Sequence, residues 1–473
     1  MKQPPLITPR EVDVPRAQRH TLPNGASLYA IPSDDFEVLR FTFVFRAGSS
    51  MQHAPFAASA TANMLSEGSR DMTARQIAER LDFHGSYFEV NVDRDYVYIS
   101  FSSLSKFFAP TLEVAEQILL QPLFPEDELR AYCEKRKQTL TIERRKVDTV
   151  VREIFAEALF GDKHPYGISY PEKDYDTLTR ADLESLYRRL YTAENCLVVC
   201  SGRIGEEELQ GIGALAEKLP RADRSATADF PAPRSEAYRF VERPDAVQSS
   251  LRVGRLLFTR THPDFVGMQV VATVLGGYFG SRLMQNLRGE HGYTYGVGAA
   301  MVNFEREGYL GIAAQVGAEV TAPALREIYN EIERLRREPM PEEELSLVKN
   351  IMTGEVMRIL DGPFGIADVT IENLLCGTNN GVIEENIRRI QAITPAEVQR
   401  LAVKYLRRED LITAVVGAVD PKHEIYRETT FFHKTHTARK SGRMRFIKTI
   451  FRSHPPTVSV RRNRRPKAAR HAA

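Results

Sequence analysis

No stretch of this 473-residue chain approaches the roughly 18 uninterrupted apolar residues that a membrane-spanning helix needs, so a helical membrane protein is excluded. The first twenty residues carry Pro4, Pro5 and Pro9 and no apolar run. Neither a secretory leader nor a membrane anchor is visible there, and a cytoplasmic location is expected. Cysteine is scarce. Cys133, Cys196, Cys200 and Cys376 are too few and too scattered for a disulfide framework and are expected to be reduced. Cys196 and Cys200 lie inside the apolar run 196–200, where they read as small core residues. Acidic residues are missing altogether from His433 onward, although 13 of the chain's 64 Lys and Arg fall there. The preceding residues therefore hold 51 basic against 62 acidic side chains, and the tail is a separate object from an acidic body.

What is present is globular in composition, at 42% hydrophobic and 27% charged, and long enough for two or more domains. Asn24-Gly25 marks a turn before a short strand at 26–31. Leu39, Phe41, Phe43 and Phe45 alternate as the apolar face of a half-buried strand. Residues 57–65 read as a buried, alanine-rich helix and 73–83 as a second helix, with a strand following at 96–101. Proline-opened and charged helices begin at Ala109-Pro110 and at Pro125, the latter running to about Lys146, and another helix begins at Thr179.

The same order then returns. Ala322-Pro323 follows Ala109-Pro110 by 213 residues, Pro341 follows Pro125 by 216, and Thr394 and Gly417 follow Thr179 and Gly202 by 215. His291-Gly292 answers His84-Gly85 at 207. Repeated anchors in one order at nearly one spacing predict an α+β fold of two homologous domains, each a mainly antiparallel sheet covered by helices on one side. The expected divisions are an N-terminal arm at 1–18, a first domain at 19–217, a proline-containing linker at 218–237, a second domain at 238–432 and a basic tail at 433–473. The tail could meet nucleic acid or an acidic membrane surface. It has little aromatic interleaving beyond Phe446 and Phe451, which favours a solvated extension.

The stretch from Leu287 to Gly296 combines a helix end, glycines, and Arg288 spaced seven residues from Tyr295. A guanidinium can donate to a peptide carbonyl and a phenol to a developing oxyanion, while Gly292 and Gly296 would allow a bound peptide to approach the backbone. The same residues also suit plain packing, with Tyr293 and Tyr295 on a strand and Arg288 at a helix end.

From about residue 19 to residue 420 the chain resembles the insulinase, pitrilysin and mitochondrial processing peptidase superfamily of zinc metallopeptidases. The resemblance rests on Asn24-Gly25, Gly48-Ser49, Met64-Leu65 with Gly68-Ser69, His164-Pro165-Tyr166-Gly167, Asn195 to Gly202 and Leu287 to Gly296. It implies a two-domain subunit that pairs into a clam-like dimer around a peptide chamber. The family's zinc motif, H-x-x-E-H, uses two imidazoles one helical turn apart to grip the metal and a glutamate to activate its water. In that frame this chain has Ser59, Ala62 and Asn63. Glu143 matches the position of the family's third ligand, although it also reads as a solvated glutamate among Arg144, Arg145 and Lys146. His53 and His164 read as turn or packing residues, and His433 and His436 fall in the tail.

The resemblance thus implies a chain that binds no zinc itself and lends Arg288 and Tyr295, with Gly292 and Gly296 at the substrate, to a zinc-bearing homologous subunit acting on a peptide or unfolded protein. The alternative is a catalytically inactive scaffold or peptide-binding protein of the same fold.

Overall fold

The computed structural model describes residues 14–221 and 230–424, and the basic tail with its His433 and His436 lies outside the described residues. In the first half, β1 (Gln18–Thr21), β2 (Ser27–Pro32) and β3 (Val38–Phe45) precede α1 (Ala57–Asn63) and α2 (Ala74–His84). Strands β4 (Tyr87–Val92) and β5 (Val97–Leu104) follow, then helices α3 (Phe108–Leu120), α4 (Glu126–Glu143), α5 (Val147–Phe160) and α6 (Arg180–Leu190). The half closes with β6 (Cys196–Gly202) and α7 (Glu206–Glu217). In the second half, β7 (Tyr238–Glu242), β8 (Gln248–Leu257) and α8 (Phe265–Ala272) lead to β9 (Thr294–Asn303) and β10 (Gly308–Gly317). Helices α9 (Thr321–Arg337), α10 (Glu342–Ile359), α11 (Pro363–Leu375), α12 (Gly381–Ala392) and α13 (Pro395–Tyr405) then precede β11 (Ile412–Gly417).

Several boundaries follow from local chemistry. Thr73 caps α2 through the backbone N–H of Gln76, whose side chain returns to the Thr73 N–H, and Thr179 does the same with Asp182 at α6. Pro125 and Pro341 stand just before α4 and α10, where a missing N–H costs nothing. Gly25, at φ +93°, makes the β1–β2 turn, and the Asn24 side chain accepts the Ala26 N–H at 3.1 Å.

The strands form two sheets, ordered β1-β2-β6-β3-β5-β4 and β7-β11-β8-β10-β9. Apart from the extra β1, the orders correspond strand for strand, and each sheet has one parallel pair, β2 with β6 and β7 with β11. The fold is α+β, with both sheets packed by helices. The repeat spacing recurs in the helices, since α4 and α10 are displaced by 216 residues at both ends and α6 and α13 by 215.

One expectation needs correction. The sheets are not covered on one side only. The main core of the first sheet holds Leu39, Phe41, Phe43 and Phe45 against its own helices, but Val44, Ile31 and Val199 on the opposite face pack against Ile366, Ala367 and Ile371 of α11. Reciprocally, Val151, Phe155 and Leu159 of α5 pack on Ile412, Ala414 and Val416 of β11 in the second sheet. Helices α5 and α11 are themselves repeat equivalents, so each half donates one helix to the other half's sheet. This explains why β3, read from its alternation as half-buried, is buried on both faces.

Polar contacts reinforce the crossing. The buried Asp95 carboxylate accepts from Ser50 Oγ at 3.2 Å, Tyr166 Oη at 2.7 Å and the Glu305 backbone N–H at 2.8 Å. Arg46 pairs with Glu305 at 3.1 Å. The described end of the N-terminal arm also crosses the molecule, with Val14 buried against Ile383 and Ile387 of α12. Cys196 and Cys200 lie in β6, unpaired and buried, and burial raises both thiols. Among the described residues no helix is long and apolar enough to cross a membrane.

Candidate functional site

The position of the zinc motif lies on α1, a short helix buried through Ala57, Ala58, Ala60, Thr61 and Ala62. Ser59 turns its hydroxyl back to the Phe56 carbonyl at 3.0 Å, and the Asn63 amide donates to the Ser59 carbonyl at 2.7 Å. Ala62, with no exposed surface, supplies no base. The space beside this turn is filled. Phe56, in the left-handed region at φ +63°, stacks on Tyr175 with centroids 3.8 Å apart and meets the edge of Tyr170 at 5.7 Å. From α4, Arg136 lies against the phenols of Tyr132 and Tyr175, and burial pushes the Tyr132 phenol up to about 12. The Tyr132 hydroxyl is enclosed without a well-aligned hydrogen bond, so packing rather than liganding closes this corner.

These residues do not fit a zinc ion. Two short polar side chains are spent on backbone carbonyls, and a guanidinium stands nearby. Glu143 does not join them. It is half-exposed at the last residue of α4, paired with Lys146 at 2.8 Å, and that hydrogen bond holds its carboxyl below the usual range. The polar α4 neighbour of Ser59 is Tyr132, eleven residues and so about 16 Å along the helix from Glu143. Among the described residues no three His, Cys, Asp or Glu side chains group to hold a metal. His53 contacts Asp182 at 3.5 Å, and His164 is buried with Nδ1 accepting the Tyr166 N–H and its ring stacked on Phe160.

The second motif has a different character. Arg288 sits in a π-helical turn, Met284–Glu290, a wide geometry that recurs at functional sites. The turn is anchored on both sides. Arg282 makes a bidentate pair with Glu344 at 2.7 and 2.8 Å, and Asn286 donates to Glu327 at 3.1 Å and Glu331 at 2.9 Å. Gly292 closes the turn at φ +65°, with the Tyr293 N–H returning to the Leu287 carbonyl at 2.8 Å. Helix termination is reason enough for that glycine. Gly296 follows in β9, where its N–H is taken by Thr294 Oγ1 at 3.1 Å and an added Cβ would meet nothing within 4 Å.

The Arg288 guanidinium carbon lies 4.8 Å from the ring centroids of both Tyr295 and Phe279. Tyr295 is 89% exposed and Phe279 72% exposed. Cation–π contacts at exposed sites are worth about 0.5–1 kcal/mol each, enough to orient the guanidinium without fixing it. Among the described residues neither the Arg288 N–H groups nor the Tyr295 hydroxyl has a hydrogen-bond partner. The structure therefore brings Arg288 and Tyr295 together with their donors unspent, and keeps them out of the core. Phe279 was missed from sequence. Its signal is the glycine-flanked aromatic pair in Gly276-Gly277-Tyr278-Phe279-Gly280, nine residues before the arginine. The filling of the α1 corner by Phe56, Tyr132, Arg136 and Tyr175 was missed too, because its members are spread over 120 residues.

Residues 177–352 match the family model described as the peptidase M16 inactive domain. The chain is 28% identical over 271 residues to an uncharacterized zinc protease of Mycobacterium tuberculosis, a match covering 55% of this chain and 61% of that relative's length. It is 22% identical over 364 residues to an uncharacterized zinc protease of Bacillus subtilis, covering 75% and 86%. A probable mitochondrial-processing peptidase subunit beta of Arabidopsis thaliana is 21% identical over 445 residues, covering 89% and 83%. Among solved structures, a peptidase M16 inactive domain from Pseudomonas fluorescens superposes with a TM-score of 0.77 at 23% identity, covering 85% of this chain and 98% of that one. A protease from Helicobacter pylori gives 0.78 at 16% identity, covering 85% and 100%. The chain is thus similar to M16 peptidases in sequence over part of its length and in fold over most of it.

Proposed function

We propose that this chain is the zinc-less subunit of a two-subunit metallopeptidase and lends Arg288 and Tyr295 to a zinc-bearing homologous partner. The observation that carries this reading is the contrast between the two motifs. The α1 corner offers no ligand set and no base, whereas the half-buried Arg288 and the exposed Tyr295 have every donor unspent. Unspent donors on an anchored turn suit a substrate that arrives from outside the chain. In the assembled site the metal and its water would belong to the partner. Arg288 would hold a peptide carbonyl, and the Tyr295 hydroxyl would donate to the oxyanion as it forms. One relative is itself named as a subunit of a processing peptidase, which is consistent with work divided between chains.

A second reading, an inactive scaffold or peptide-binding protein, draws on the packing that closes the α1 corner and on the family model's description as an inactive domain. Purification separates the two. The first reading expects no peptidase activity and no stoichiometric zinc for the chain alone, and activity with about one zinc per pair of chains once it is mixed with the zinc-bearing homologue it co-purifies with. A co-purifying partner without zinc, or a mixture no more active than that partner by itself, favours the scaffold.

A further inference from the structure

The face of the second sheet that receives α5 is only partly covered by it. Beside α5 lies a cavity of about 570 Å³ floored by the outward positions of β9 and β10. The register makes the floor shallow. Arg252 of β8 lies in one row with Ala313 and Gly298, and Gly254 lies in the next with Gly311 and Ala300. Four of the floor positions therefore carry at most a methyl group, and the rings of Tyr309 and Phe155 lie over Gly311 and Gly254, 3.1 and 3.0 Å from where a Cβ would stand. The apolar walls come from Phe155 and Phe304.

Three arginines line this space. Arg94 lines it from the β4–β5 turn, Arg152 from α5 and Arg252 from β8. Arg252 and Arg152 share a single carboxylate, Asp148, at 2.9 and 3.3 Å, and Arg252 Nε is enclosed with no acceptor. Arg94 is partly buried, and among the described residues its guanidinium has neither a hydrogen bond nor an ion pair. The acids within electrostatic reach of Arg94 are committed elsewhere. Glu153 pairs with Arg144 at 3.0 Å, and Asp95 already accepts from Ser50, Tyr166 and, across the halves, the Glu305 N–H. The Tyr309 phenol feels both Arg94 and Arg252, and its hydroxyl too has no hydrogen-bond partner among the described residues. A guanidinium partly removed from water without a counter-charge is unfavourable, and a bound anion would relieve it.

We infer that Arg94, Arg252 and Tyr309 form a carboxylate-binding site for an extended, otherwise apolar peptide lying over the Gly298, Ala300, Gly311 and Ala313 floor. This rests on the proposed function, because it makes the cavity a specificity site for the substrate presented to Tyr295. Tyr295 precedes Gly298 by three residues of β9, about 10 Å, and Arg252 lies two strands across, again about 10 Å. The carboxylate would therefore sit about four residues from the bond presented to Tyr295. Either a C-terminal carboxylate or an acidic side chain offers this chemistry.

The test is fluorescence anisotropy on the isolated full chain with three fluorescein-labelled Ala/Leu octapeptides. One has a free C-terminus, one is C-terminally amidated, and one is amidated but carries an internal Glu. At least one carboxylate-bearing probe is expected to bind tenfold or more tighter than the plain amide, and which one does so identifies the source of the carboxylate. Arg94→Gln and Tyr309→Phe, the latter keeping the ring that packs on Phe155, should each bring that probe down to the level of the amide. Equal binding of all three probes, binding of none, or folded variants that retain the preference would overturn the inference. No partner subunit enters this measurement, so it can fail while the partnership stands, or succeed while the partnership fails.

Discussion

Phe56 holds a left-handed backbone conformation to lay its ring flat on Tyr175, and Arg136 stands over the neighbouring phenols. At the scale of residues, this packing closes the α1 corner to a metal ion more firmly than the side chains at Ser59, Ala62 and Asn63 do. Ser59→His, Ala62→Glu and Asn63→His made together are expected not to restore stoichiometric zinc, as metal analysis of the purified triple variant would check. The imidazoles would find a guanidinium and two phenols where a third carboxylate is required, and a glutamate at 62 would enter a fully buried position. That positions 59, 62 and 63 carry neither an imidazole nor a carboxylate was legible in sequence. The filling of the corner was not, since it depends on which face of α4 meets α1. His164 gives a pH prediction. Burial lowers its pKa below the ordinary 6.5, so the unfolded chain binds the proton more readily than the folded one. Stability from this group is complete above about pH 6.5 and falls as the pH drops below it. Thermal melts between pH 7 and 5 should show a decline that His164→Gln flattens.

At the scale of elements, α5 and α11 decide the architecture. Each follows the long helix of its own half and crosses to the other half's sheet. Phe155 packs its ring on the edge of Tyr309 at 6.0 Å and lies 3.0 Å from where a Cβ on Gly254 would be, so the glycine in β8 and the phenylalanine in α5 fit as a pair. Phe155→Ala is expected to cost about 3–5 kcal/mol, the usual range for emptying an aromatic core site, read as a lower denaturation midpoint at unchanged m-value. The repeat anchors made the helix order legible, and α4, α6 and their counterparts fall where the spacings of 216 and 215 place them. Neither α5 nor α11 carries an anchor in that pattern. The exchange between halves is a long-range pairing that periodicity within a segment does not encode. The π turn at Arg288 was legible as a helix end, but its width was not, because it depends on Arg282 and Asn286 being held by acids on α9 and α10.

The whole molecule follows from that exchange. Residues 14–217 taken alone would expose the apolar face of α5 and leave the α11 side of the first sheet bare, and residues 238–424 would carry the complementary exposure. Each half expressed separately should aggregate or bind a dye specific for exposed apolar surface. Co-expressed halves should yield a soluble pair, and the intact chain should melt in a single transition. Independent folding of either half would contradict the exchange. At this scale the chain presents one anchored pair of unspent donors and one closed corner, and the central claim is that the pair acts on a substrate whose metal lies in another chain. The direct measurement is the peptidase activity of the assembled pair with Arg288→Ala in this subunit, with assembly confirmed by size exclusion. Losing the guanidinium that positions the peptide carbonyl should lower kcat/KM by about 100-fold while the zinc content of the complex stays the same. Activity unchanged by Arg288→Ala would contradict the claim.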